Sequence, residues 1–108
     1  MPQLIKLQGF QSSDKKTSSA AIRARAGVLG GILVINDGIN DPTITLHDNA
    51  TAASGTELFE YFEDVSVSFG AGGPAQKQHL FRLPDVVFAN GCYLTLTGTG
   101  AAAIVFTR

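Results

Sequence analysis

The amino-acid sequence predicts an all-β fold, a sandwich or barrel of antiparallel strands in one domain, and three observations carry that expectation. About eight short runs rich in Val, Ile, Thr, Phe and Tyr recur at regular spacing, each bounded by Gly, Pro, Asn or Asp. No stretch repeats apolar residues at the roughly 3.6-residue helical period over a dozen positions, so crossover helices are not expected. Turn signatures fall between the runs at Asn36-Asp37-Gly38, Asn90-Gly91 and Gly98-Thr99-Gly100. They imply hairpins and longer returns, connections that jelly rolls and Greek-key sandwiches both use.

The stretch from Val28 to Asn49 is the centre of this reading. Ile32 to Ile35 is continuously apolar and predicts a strand buried on both faces, whereas Thr43 to Asp48 alternates and predicts a half-buried neighbour. The Asn, Asp, Gly and Pro residues between them predict a hairpin. Gly30-Gly31 inside the first run predicts a bulge or a place where another backbone comes close.

The other elements follow in order. Pro2 to Phe10 alternates weakly, and Gln11 to Ser19 is a polar run too poor in apolar groups to repay its ordering entropy. Residues 1–19 are therefore expected to form an extended arm and tether, with residues 20–108 as the folded domain. From Ala20, Ile22, Ala24 and Ala26 alternate with Arg23 and Arg25, which predicts a strand with one small apolar face and one basic face. Asn49 to Gly55 reads as a small-residue loop. Thr56 to Phe62 reads as a strand with Leu58, Glu60 and Phe62 on one face, a helical turn at Glu57 to Glu63 being the alternative. Val65 to Phe69 has the clearest two-residue period, and Gly70 to Pro74 reads as a mobile tip. Gln78 to Leu83 resumes as a strand that Pro84 should stop, and Val86 to Phe88 follows. Asn90-Gly91 is expected to fold Cys92 to Thr97 back on that run, and Ala102 to Thr107 is the last strand.

Composition narrows the function classes. Charged residues make up 16% of the 108 positions and hydrophobic ones 44%, against about 25% charged in an average soluble domain. So little charge predicts that other copies or partners cover part of the surface. A formal net charge of -1 argues against a nucleic-acid partner. The single Cys92 excludes an intrachain disulfide and a cysteine metal cluster. No run approaches the roughly 20 apolar residues of a membrane span, and the N-terminus has no signal-type apolar core, so a soluble, unexported chain with no membrane partner is expected.

Each candidate for chemistry competes with a plainer reading. Asp37, Asn40, Asp41, Asp48 and Asn49 crowd oxygen ligands such as calcium takes. The same residues favour turns by bonding their own backbone, and we read them so. Glu57, Glu60, Glu63 and Asp64 offer paired carboxylates for glycoside hydrolysis, yet acids on a short strand more simply discourage edge pairing. His47 and His79 are too few for a catalytic zinc site, no Gly-x-Ser-x-Gly elbow is present, and Cys92 reads as a buried thiol. Lys15, Lys16, Arg23 and Arg25 form the only basic concentration, either a contact for an acidic partner or a solvated strand face. No catalytic residue, cofactor or metal is expected, and the chain does not read as an enzyme.

Three segments taken together carry a resemblance. Ala26-Gly-Val-Leu-Gly-Gly-Ile-Leu-Val, Thr43-Ile-Thr-Leu-His-Asp-Asn-Ala-Thr-Ala-Ala-Ser-Gly-Thr and Phe88-Ala-Asn-Gly-Cys-Tyr-Leu-Thr-Leu-Thr-Gly-Thr-Gly occur in an order and spacing that resembles a group of small tailed-bacteriophage virion proteins. The resemblance spans roughly residues 20–108, and departs at Glu57 to Asp64 and at the Gly70 to Gln78 loop. It implies a jelly-roll β-sandwich used as a capsid decoration, or cement, protein. It further implies a homo-oligomer, a trimer in the first instance, bound to the major capsid protein on the virion surface after synthesis in the bacterial cytoplasm. In that reading Leu7 and Phe10 are apolar anchors of the arm on a neighbouring subunit, and Arg23 and Arg25 are its polar contacts. The alternatives are a receptor- or glycan-binding module of a tail or head fibre, using loops 36–42 and 70–78, and a neck or connector subunit.

Overall fold

The computed structural model describes residues 9–62 and 78–108. They form eight strands: β1 (Gln11–Ser12), β2 (Ala20–Arg23), β3 (Gly27–Ile35), β4 (Thr43–His47), β5 (Glu57–Phe62), β6 (Gln78–Phe88), β7 (Cys92–Thr97) and β8 (Ala102–Thr107). There is no helix among the described residues. The strands build two four-stranded antiparallel sheets, one in the order β1-β8-β3-β6 and the other β2-β7-β4-β5. The all-β expectation holds at that level. Val65 to Phe69 and Gly70 to Pro74 lie outside the described residues.

Side chains from both sheets share one buried cluster. Leu29, Ile32, Val34, Phe88, Ala103 and Val105 come from the first sheet, and Ile44, Leu46, Cys92, Leu94 and Leu96 from the second. In β4 and β7 every second residue is buried, as period-two patterning requires. β3 and β8 are buried on both faces: Leu33, Ile104 and Phe106 turn away from the shared core into a second apolar cluster with Phe10, Ile35 and Leu80. This is why Ile32 to Ile35 and Ala102 to Phe106 read as unbroken apolar runs.

The predicted hairpin from Val28 to Asn49 is not a hairpin. β3 pairs with β6 and β8, while β4 lies in the other sheet between β5 and β7. Residues 36–42 carry the chain from one sheet to the other, braced by the Asp37 carboxylate, which accepts from the Ile39 and Asn40 N–H groups at 2.9 and 2.8 Å. Asn90-Gly91 and Gly98-Thr99-Gly100 likewise join strands of different sheets. Chain reversal needs the same Asn, Asp and Gly residues whether the next strand pairs with the last one or faces it. Of the connections between consecutive strands, β4–β5 alone joins neighbours among the described strands.

Pro84 does not stop its strand either, because β6 runs through it. β6 is an edge strand, where a missing N–H costs no ladder bond on the open side. The β3–β6 register shifts between Leu29/Val86 and Gly31/Arg82, and Asp85 in the bulged stretch adopts φ 48°. The bulge expected at Gly30-Gly31 is thus present.

Gln11 to Ser19 is more ordered than its composition predicted. β1 pairs with β8, the Ser13 N–H donates to Val105 O at 2.8 Å, and the Lys16 and Ala103 backbones exchange bonds of 2.7 and 2.8 Å. Backbone pairing to the apolar β8, together with Phe10, supplies what the polar side chains lack. β2 ends at Arg23, short of the expected Ala26, so Arg25 belongs to the connection into β3.

Candidate functional site

Two strand ends and two sheet surfaces gather the residues that sequence reasoning singled out. At one end the connections 24–26, 48–56 and 89–91 converge. The Asp48 carboxylate ties the second of these to the third: Oδ2 accepts from the Ala89 N–H at 2.9 Å, and Oδ1 from the Asn90 and Gly91 N–H groups at 2.7 and 3.3 Å. These donors, the Ala89 N–H first, hold the carboxyl below its ordinary range. Asp48 is therefore a clamp between connections. The Cys92 thiol, directly after this loop, is pushed up to about 12, by burial first and by the Asp48 charge second. It stays protonated at neutral pH, and a thiol is a poor nucleophile.

Arg23 and Arg25 are two positions apart and differ in their surroundings. Arg23 is half-buried; its guanidinium donates to Thr107 Oγ1 at 3.5 Å, and its buried Nε has no hydrogen-bond partner among the described residues. Arg25 is exposed. The register Ala21–Tyr93–His47–Glu57 crosses the β2-β7-β4-β5 sheet at this height, so Glu57 stands at the opposite edge of the same sheet. Glu60 is exposed on β5 as well, whereas Glu63 and Asp64 lie outside the described residues.

At the other end Asp37 is a turn brace whose carboxyl is held below its ordinary range, first by the Asn40 N–H and then by that of Ile39. Its Oδ2 also accepts from Asn40 Nδ2 at 2.8 Å, and Asn36 Oδ1 accepts from the Gly38 N–H at 2.8 Å. Gly100 packs on this carboxylate so closely that a Cβ there would lie 2.6 Å from Oδ2. The Asp37 and Asn49 oxygens that looked like ion ligands in sequence accept from N–H donors of their own loops, and those of Asp48 from donors of the 89–91 connection. Among the described residues no three His, Cys, Asp or Glu side chains gather as a metal site.

The outward surfaces of the two sheets differ in chemistry. On β4 and β7 the residues turned away from the core pair as Thr43–Thr97, Thr45–Thr95 and His47–Tyr93, a polar surface bordered by Glu60 and Phe62. Within it Thr95 Oγ1 and His47 Nδ1 are buried without a hydrogen-bond partner among the described residues. The other sheet turns Leu33, Ile104 and Phe106 outward, and Phe10 lies over them. Gly30 receives the Phe10 ring: a Cβ at Gly30 would come within 2.5 Å of it. The Arg108 guanidinium sits 4.7 Å from the ring centroid and reaches Asp85 at 3.5 Å. Phe10, expected to anchor on a neighbouring subunit, thus packs on its own chain. Leu7 lies outside the described residues.

Comparison of the chain with known protein families, curated proteins and solved structures gives no match. The site is therefore read from its own geometry.

Sequence reasoning missed one feature of that geometry, an aromatic row between the sheets. Phe59 and Tyr61 of β5 meet Phe81 of β6 at 5.3 and 4.5 Å between ring centroids, and His79 stacks on Phe81 at 4.2 Å. The alternation Phe59/Tyr61 and His79/Phe81 was visible, but the seam joins strands of different sheets, which no local pattern reveals. The row fills the side where the β5 and β6 edges meet. Such ring pairs contribute about 0.5–1.5 kcal/mol each beyond the area they bury. Among the described residues the outer strands of the two sheets are β1 and β6, and β2 and β5, and Ile39, Phe62 and Val87 are the exposed large hydrophobic side chains.

Proposed function

We propose that this chain is a structural, non-enzymatic virion module: a jelly-roll sandwich that assembles with copies of itself on a phage head and stabilises the assembled shell. The observation that carries the reading is the pairing scheme. β1 pairs with β8, β2 with β7, β3 with β6 and β4 with β5. That is the scheme of one long antiparallel hairpin of four strands out and four back, rolled so that alternate pairs fall in different sheets. Jelly rolls have this architecture, and viral capsid domains are among the proteins that use it. The fold alone hosts many functions. The low charge and the resemblance of residues 20–108 to small phage virion proteins support this one among them.

Mechanistically, a protein that binds only the assembled form of a shell stabilises that form by mass action, by about 2.7 kcal/mol per site at a hundredfold excess over Kd. No bond is made or broken. The oriented surfaces are the polar face around Thr45 and Thr95, the apolar Ile39 and Phe62, and the basic connection at Arg25. Adding purified protein to heads that lack it is expected to raise the temperature at which they disrupt, saturably and in proportion to binding. Saturable binding to host glycans with no effect on the heads would favour a fibre module instead.

A further inference from the structure

We infer that the hydrogen bonds of Asn36 and Asp48 protect the chain from covalent self-modification at Asp37-Gly38 and Asn90-Gly91. The inference stands on the geometry of the two connections and goes beyond the virion reading without resting on it.

An Asn or Asp followed by Gly is prone to close on itself. The glycine nitrogen gives up its proton and bonds to the side-chain Cγ of the residue before it. The Cγ–N bond of Asn breaks and ammonia leaves, or the Cγ–O bond of a protonated Asp breaks and water leaves, in each case with the glycine proton. Water then opens the five-membered ring on either side, which yields Asp or isoaspartate. Glycine favours the closure because its backbone turns freely and no side chain obstructs the approach. The sequence holds one step of each kind, Asp37-Gly38 and Asn90-Gly91. Both lie in connections between strands, where backbones usually move most.

At Asn90-Gly91 the nitrogen that must attack is engaged through its own proton. The Gly91 N–H donates to Asp48 Oδ1 at 3.3 Å, and the Asn90 N–H donates to the same oxygen at 2.7 Å. The acceptor is a carboxylate, and its negative charge opposes the loss of a proton from that nitrogen. The backbone is also walled in: a Cβ on Gly91 would stand 2.6 Å from the Arg23 carbonyl oxygen and 2.7 Å from the Ala50 Cα. Asn90 itself is exposed, so exclusion of water is not what protects it. At Asp37-Gly38 the protection is built differently. The Gly38 N–H donates to Asn36 Oδ1 at 2.8 Å, which engages the attacking nitrogen with the residue two positions before it. Both Asp37 oxygens are occupied as well, Oδ1 by the Ile39 and Asn40 N–H groups at 2.9 and 2.8 Å and Oδ2 by Asn40 Nδ2 at 2.8 Å. These donors favour the ionised carboxylate, which has no water to lose. In both connections the bonds must open before the ring can close, and the rate follows how often they do.

The test is ageing of the full chain in mildly alkaline buffer, then peptide mapping for deamidation at Asn90 and for isoaspartate at positions 37 and 90. Both steps are expected to react roughly tenfold or more slowly in the folded chain than in the urea-unfolded chain, because only the opened connections react. Asp48→Asn removes the charge while keeping the shape. It is expected to raise the rate at Asn90 severalfold and to leave the Asp37 step at its wild-type rate. Asn36→Ala is expected to do the reverse, with circular dichroism verifying that each variant is folded. Equal rates in the folded and unfolded wild-type chain would overturn the inference without recourse to a variant. A folded Asp48→Asn chain whose Asn90 reacts no faster would overturn it too. So would a folded variant in which both steps accelerate alike, because the protection would then belong to the fold as a whole and not to these bonds.

Discussion

Gly91→Ala is expected to lower the thermal unfolding midpoint by roughly 10 °C, a large effect for one methyl group. A Cβ at this position would stand 2.6 Å from the Arg23 carbonyl oxygen and 2.7 and 2.9 Å from the Ala50 Cα and nitrogen. All three atoms are backbone, so none can swing aside as a side-chain tip would. The end of β2 and the connections 48–56 and 89–91 would have to separate. Doing so would also lengthen the bonds from the Ala89, Asn90 and Gly91 N–H groups to Asp48. Overpacking costs about 1–3 kcal/mol where the surroundings can shift, and a domain of this size loses about 4–8 °C for each kcal/mol. Calorimetry or circular dichroism reads the shift directly. An unchanged midpoint would mean that the β2 end and the 48–56 connection do not converge on Gly91.

Phe10→Ala and Gly30→Ala are expected to destabilise by a similar amount, about 2 kcal/mol each, and the double variant by little more than either alone. The reason is that both changes remove the same contact. Phe10→Ala deletes a half-buried ring from the cluster of Leu33, Ile104 and Phe106. Gly30→Ala places a Cβ within 2.5 Å of that ring and forces it off the sheet. Once the ring has left, the second substitution has nothing further to displace. Hydrogen exchange gives an independent readout: the Ser13 and Lys16 N–H groups, bonded to Val105 and Ala103, should exchange faster in both variants, whereas β4 and β7 should not change. Additive losses in the double variant would contradict the arrangement.

Much of the strand content was legible from local pattern, and the reason is physical. β4, β7 and the Leu29 to Val34 part of β3 bury alternate or consecutive residues as their sequences predict. A two-residue period reports only how a strand meets the core. It carries no information on which strand is next to it. That is why Asn36-Asp37-Gly38 and Asn90-Gly91 were located correctly as turns yet misassigned as hairpins. Gly91 was read as a turn glycine, while its structural constraint is the approach of two distant connections. Gly30 was read as a bulge or a place of close backbone approach; the bulge is there, and what comes close is the Phe10 ring. The polar segment after Phe10 was read from composition as a tether, because its side chains bury little. Its order comes from backbone bonds to β8, and backbone pairing is nearly blind to side-chain identity.

The Asp and Asn cluster shows the same limit at the level of sites. Asp37 and Asp48 looked alike in sequence, both acids near turns. Asp37 braces its own loop, whereas Asp48 binds N–H groups more than forty positions away along the chain. Arg23 and Arg25 alternate as a basic strand face should, but β2 ends between them, and only Arg25 remains exposed.

The central claim, that the chain is a component of a phage shell, meets its most direct test in the number of copies per purified particle, measured by quantitative mass spectrometry against the major capsid protein. The account predicts a ratio of order one, because a symmetric shell repeats its binding sites as often as its subunits. A ratio below roughly a tenth would contradict decoration of the lattice and place the chain in the neck, tail or fibres, where symmetry repeats far fewer sites. Absence from the particle would contradict the virion reading altogether.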